Sequence, residues 1–175
     1  MNMITKRVCV EMYKAKGYQK QIELYTDRKR WVNRKIIYLI VGTSFICAIT
    51  ACFPQCRLAT FATSMIVAAT TIIRELKPMY GQPEEELREL DRISVFYKGY
   101  LHELENLFIL RYDSKSDMND MQMADKFDKI VKSEGDNETN LNRLCRKLKQ
   151  KERDIIQKDT KNYFDKTLPD TKYYI

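Results

Sequence analysis

IIYLIVGTSFICAITACF, residues 36–53, is eighteen residues long and carries no charge. As an α-helix it would measure about 27 Å, close to the thickness of a bilayer's hydrocarbon core. Beyond a short connection, LATFATSMIVAATTII, residues 58–73, forms a second uncharged run of sixteen. That is slightly short for an independent span, but long enough for the return arm of a hairpin. The connection, Pro54-Gln55-Cys56-Arg57, combines a helix-ending proline with a single charge. Together these segments predict a transmembrane hairpin. A soluble buried helix pair is the alternative, yet few other strongly apolar segments are present to wrap around one.

Averaged composition hides this pattern. The chain has 175 residues, 31 Lys plus Arg against 24 Asp plus Glu, and a net charge of +7. Its mean hydropathy of −0.50 alone would suggest an ordinary basic soluble domain. The charge is unevenly placed. Arg28, Lys29, Arg30, Arg34 and Lys35 crowd the approach to the first run, while Arg74 and Lys77 follow the second. Positive flanks mark the cytoplasmic side, so both ends are expected to face the cytoplasm. Trp31 and Tyr38 lie where amphipathic rings favour the headgroup layer. Thirty-five residues before the apolar run are too many for a cleaved signal peptide.

Three regions are expected: an N-terminal cytosolic amphipathic helix in 1–35, the hairpin in 36–73, and a cytosolic helical region in 74–175. In the first, Met3 to about Arg30 reads as helix. Val8, Met12, Ala15 and Tyr18 or Gln19 are at helical spacing, Gly17 is a weak point, and the basic end is placed to lie on anionic headgroups. In the third, Pro78 and Gly81-Gln82-Pro83 break the chain, and Pro83-Glu84-Glu85-Glu86 opens a long helix. Leu90, Ile93, Tyr97, Tyr100, Leu104 and Leu107 alternate steps of three and four along it, a stripe that must be covered. Packing within the subunit and an oligomerisation seam between subunits are both open. A loop at Asp113–Asp117 precedes a helix from Met118 to Val131 with Met121, Ala124, Phe127 and Val131 on one face. Glu134-Gly135-Asp136-Asn137 closes it, with Asp136 or Asn137 capping a last helix from Glu138 to about Lys158. Thr167–Ile175 reads as a loose tail. No segment alternates as a strand would, so the expected fold class is all-α.

Catalytic patterns are lacking. His102, the single histidine, has no i±4 metal partner, and no Gly-rich phosphate loop, nucleophile elbow or Cys-x-x-Cys occurs. No enzyme activity, catalytic residue, cofactor or metal is therefore expected. Cys9, Cys47, Cys52, Cys56 and Cys145 show no metal-ligand spacing; Cys52 and Cys56 are close enough in sequence to pair, or are simply small thiols in a membrane segment. The basic last helix lacks the interleaved aromatics of a single-strand binder, so no nucleic-acid partner is expected.

The second apolar run has an ordered face. Thr60, Thr63, Ser64, Thr70, Thr71 and Arg74 fall within an arc of about 120° on a helix, with Val67 its one apolar interruption. Such a face either permits close helix packing or lines a wet path, which would require several copies. A basic helix, a short-looped two-span hairpin and a long acid-start helix Pro83–Tyr112 follow one another in this chain. This layout resembles the SLATT family, the SMODS- and SLOG-associating two-transmembrane effectors of bacterial conflict systems. The resemblance implies a homo-oligomeric, pore-forming antiviral effector that depolarises the inner membrane when a nucleotide-signalling or other sensor partner releases it. A membrane-anchored adaptor, whose cytosolic helices recruit a partner while the hairpin tethers, is the competing expectation.

Overall fold

The computed structural model describes residues 3–51, 57–80, 84–112, 119–145 and 148–173. Among these the fold is all-α: α1 Met3–Ala51, α2 Arg57–Tyr80, α3 Glu84–Tyr112, α4 Asp120–Glu134, α5 Asn137–Leu144 and α6 Gln150–Thr167, then a 3-10 turn at Pro169–Tyr173. The chain divides into two compact units: unit 1, Met1–Tyr25 with Arg88–Ile175, and unit 2, Thr26–Leu87. The sequence-ordered partition at 35/36 and 73/74 therefore misses that the two flanks fold together. The connection 52–56, with its candidate Cys52–Cys56 pairing, and the loop 113–117 lie outside the described residues.

Unit 1 is a helical bundle in which α1 is enclosed. From Glu11 to Ile22 no residue of α1 is exposed. Val8, Met12, Ala15 and Ile22 fill one side of it, against Leu90, Tyr97 and Leu104 of α3, Met123 and Phe127 of α4, Leu141 of α5 and Phe164 of α6 in one continuous core. The whole long stripe of α3 is covered within the chain: Leu90, Ile93, Tyr97, Tyr100, Leu104 and Leu107 are 0–3 % exposed. That corrects the oligomerisation seam. The apolar cover the stripe requires comes from the subunit itself, leaving no surface there for another copy.

Several boundaries also differ from expectation. Helix α2 continues through Pro78 to Tyr80 rather than breaking at the proline. Helix α4 begins two residues later than expected because Asn119 caps it. The Asn119 Oδ1 accepts from the Gln122 N–H at 2.8 Å, and Gln122 Oε1 accepts from the Asn119 N–H at 3.2 Å. Its buried face carries Met123 rather than Met121, which is 83 % exposed. Gly135, at φ +49°, turns α4 directly into α5, a conformation that favours glycine. Asp136 occupies the N-cap position of α5 without a side-chain cap bond, and the Asn137 amide instead donates to the Glu134 carbonyl at 2.9 Å. The single last helix is two, α5 and α6, separated by extended Cys145. As far as Tyr173 the tail is ordered as a 3-10 turn: Thr171 is buried and its hydroxyl donates to the Leu168 carbonyl at 2.7 Å.

Two substitutions test this packing. Leu104→Asp places a charge in a fully covered site, so circular dichroism should show loss of folded unit 1, not a folded monomer released from an oligomer. At Gly17 an added Cβ would meet only Ile156 Cγ2 at 3.9 Å, ordinary contact. Gly17→Ala should therefore stabilise the helix by about 0.5–1 kcal/mol, read as a higher denaturation midpoint.

Candidate functional site

Unit 2 inverts the rule that unit 1 obeys. Apart from Thr26 and Leu87 at its ends, none of its described residues is buried. Ile37, Leu39, Val41, Phe45, Ile46 and Ile49 of α1 and Phe61, Met65, Val67 and Ile72 of α2 all stand exposed. At 46–68 % exposure, each such side chain would gain about 1–2 kcal/mol on leaving water. A patch of this extent marks a surface made for another apolar medium or partner. Among the described residues no helix is long and apolar enough to cross a membrane. The uncharged run 36–53 extends past the described end of α1 at Ala51.

Half-buried positions divide α2 into three faces. Thr63, Ile66, Thr70 and Ile73 recur at steps of three and four, as do Ile36, Ile40 and Thr43 on α1. This is the spacing of a helix–helix seam. Ser64, Val67 and Thr71 form an exposed strip beside it, and Phe61, Met65 and Ile72 a bulky face on the far side. The predicted arc is thus split: Thr63 and Thr70 belong to the seam, Ser64, Val67 and Thr71 to the strip. The side chains of Thr60 and Arg74 lie outside the described residues.

Hydroxyls in unit 2 fold back on their own helices. Thr70 Oγ1 donates to the carbonyls of Ile66 (2.8 Å) and Val67 (2.9 Å), and Thr71 Oγ1 to Val67 at 2.9 Å. Thr43 and Ser44 of α1 do likewise toward Leu39 and Ile40. A donor satisfied in this way tolerates apolar surroundings. At the start of the apolar run, Lys35 Nζ lies 3.9 Å over the Trp31 ring.

Unit 1 contains a polar cluster that the periodicity of the sequence did not reveal. Lys14 of α1 reaches Glu138 Oε2 at 2.9 Å, Glu134 Oε2 at 3.4 Å and Glu11 Oε1 at 3.5 Å. A tyrosine hydroxyl donates to each of those carboxylates: Tyr97 to Glu134 at 2.8 Å, Tyr100 to Glu11 at 3.0 Å, and Tyr18 to Glu138. Burial opposes the Lys14 ammonium, but the Glu138 hydrogen bond and the charges of Glu11 and Glu134 outweigh it and raise its pKa. The Tyr18 and Lys14 hydrogen bonds hold the Glu138 carboxyl below its usual range. Burial first, then the facing carboxylates, pushes the Tyr18, Tyr97 and Tyr100 hydroxyls far up, so they remain donors. With every member partnered, the cluster fits a structural hub and offers no free acid or base. Among the described residues no group of His, Cys, Asp and Glu is arranged to hold a metal ion.

His102 is exposed and meets only the Asn106 amide, at 3.2 Å, among the contacts of its ring. Cys9 and Cys145 are buried, their thiols pushed up by burial to about 12 and about 11. Thiol reagents therefore report unfolding at these two positions rather than membrane sidedness. No family profile, curated protein or solved structure matches the chain.

The cluster gives a pH-resolved prediction. The lowered Glu138 pKa stabilises the fold above the ordinary carboxylate value, about 4.3, and is lost as pH falls through the lowered folded value. The raised Lys14 pKa stabilises below its ordinary value and is lost only as pH rises through the folded one. Both act at neutral pH. Lys14→Met should therefore cost about 1 kcal/mol at pH 7, discounted for the partial exposure of Lys14 and Glu138, and less at pH 4, measured by chemical denaturation at each pH.

Proposed function

We propose that unit 2 is a transmembrane hairpin and that the chain acts as an oligomeric two-transmembrane effector that permeabilises or depolarises the inner membrane. The observation that carries this reading is the burial contrast: unit 1 buries a continuous apolar core, whereas the described apolar side chains of unit 2 are exposed or at most half-buried, save Leu87 at its end. In hydrocarbon that surface is solvated by lipid, and the cost of exposing it to water vanishes. The basic clusters flanking the hairpin favour an orientation with both termini cytoplasmic. One hairpin cannot enclose water, so conduction requires several copies to present a common face. The strip Ser64, Val67 and Thr71 is the polar exposed face of α2 best suited to that, with Thr60 and Arg74 on the same helical line. Oligomerisation then belongs to the membrane helices rather than to the covered stripe of α3. Release by a sensor or nucleotide-signalling partner, within an anti-phage conflict system, is the setting that the SLATT resemblance supplies.

Val67, 51 % exposed, is the apolar member of the strip and the natural constriction, able to hold a narrow path closed by dewetting. Val67→Ser should therefore depolarise cells without any trigger, read with a membrane-potential dye, whereas Met65→Ser on the bulky face should not. Equal behaviour of the two variants, with normal insertion of both, would leave the strip a packing surface and return the adaptor reading to first place.

A further inference from the structure

We propose that the outward face of α1, where the basic cluster meets the apolar run, binds an anionic phospholipid. Its headgroup would lie at Trp31, Arg34 and Lys35, and its acyl chain along Tyr38, Phe45 and Ile49. This rests on the membrane reading above and adds the chemistry of the lipid partner. At the helical repeat these six residues fall within an arc of about 100°, opposite Ile36, Ile40 and Thr43 of the seam. All six are exposed, Trp31 by 57 % and Phe45 by 68 %.

The order of chemistry along this face is what selects a lipid. Residues 28–35 hold five cations and no carboxylate, and from Ile36 the run carries no charge at all. Trp31 and Lys35 sit at the junction with the ammonium 3.9 Å over the ring, presenting a flat apolar plate and a positive charge together. A lipid has the same order: anionic headgroup, glycerol, acyl chain. A soluble anion matches only the cationic half, leaving Tyr38, Phe45 and Ile49 uncovered. A zwitterionic headgroup brings its own cation against Arg34 and Lys35, which an anionic headgroup does not.

Trp31 is the only tryptophan in the chain, so its fluorescence reports this surface alone. The full chain is reconstituted in phosphatidylcholine vesicles holding a small fraction of acyl-brominated lipid, either phosphatidylglycerol or phosphatidylcholine. Quenching titrations should give an apparent preference for phosphatidylglycerol of about fivefold per engaged cation. In the Arg34→Gln, Lys35→Gln double variant the preference should fall towards one, with quenching by brominated phosphatidylcholine unchanged as proof of insertion. Equal quenching by both lipids in the unaltered chain overturns the lipid assignment and leaves the membrane reading standing. A preference that survives in the double variant overturns the role given to Arg34 and Lys35. Quenching by neither lipid removes the membrane reading, and this inference with it.

Discussion

Lys14 and the three carboxylates around it are the interaction on which unit 1 depends. Between Glu11 and Ile22 no residue of α1 is fully exposed, so its polar side chains have reduced access to water. Each must find a partner inside the bundle or cost free energy. Lys14 draws Glu134 from α4 and Glu138 from α5 onto α1, and Tyr97 and Tyr100 of α3 donate to Glu134 and Glu11. Four helices are thereby held in register by one set of charge-assisted bonds. Lys16, over the Tyr163 ring at 3.6 Å, and Tyr163, whose hydroxyl reaches Glu105 at 2.7 Å, bring α6 into the same arrangement. Apolar packing supplies most of the stability, but it is tolerant of sliding, whereas a hub with every donor and acceptor matched accepts only one register.

The two units answer the hydrophobic effect in opposite ways. Unit 1 takes Leu90, Ile93, Leu104, Met123, Leu141 and Phe164 inside and faces water with its charges. Unit 2 has too few helices to enclose anything: a pair can cover one seam each, here Ile36, Ile40 and Thr43 and Thr63, Ile66, Thr70 and Ile73, and nothing else. Most of its remaining described apolar residues stand exposed. This is why the mean hydropathy of the chain is uninformative. It averages a unit with a buried apolar core and a unit whose apolar residues stand mostly exposed.

The all-α class, the long α3 helix and its apolar stripe were legible because helical periodicity over many residues is a strong signal. The fate of that stripe was not, since periodicity tells that Leu104 must be covered but not by what. The N-terminal helix was legible as amphipathic from its apolar spacing, but that spacing does not say what Glu11, Lys14 and Lys16 meet. Their partners lie more than a hundred residues away in the case of Glu134 and Glu138, and no local pattern announces them. The break between α5 and α6 was equally hidden. Residues 145–149, Cys-Arg-Lys-Leu-Lys, hold neither glycine nor proline, so the sequence carries no local stop signal there. The start of α4 was present in the sequence as Asn119 followed by Gln122, but Met118 belongs to an apolar pattern that drew the boundary forward.

The hydroxyl chemistry of α2 bears on why a conducting face would use Ser and Thr rather than Asn or Lys. A Thr71 hydroxyl that donates to the Val67 carbonyl leaves no unpaired donor when the face is dry, so the closed state carries no unsatisfied polar group. Its oxygen keeps a lone pair for water, so the wetted state gains an acceptor. An Asn or Lys at the same place would need a partner in the dry state and would hold the face open, or else unfold it. A strip of such hydroxyls around one valine is therefore nearly indifferent between contact and water. For a protein proposed to remain harmless until triggered, that indifference is the useful property, because a modest bias from outside the membrane then suffices to decide the state.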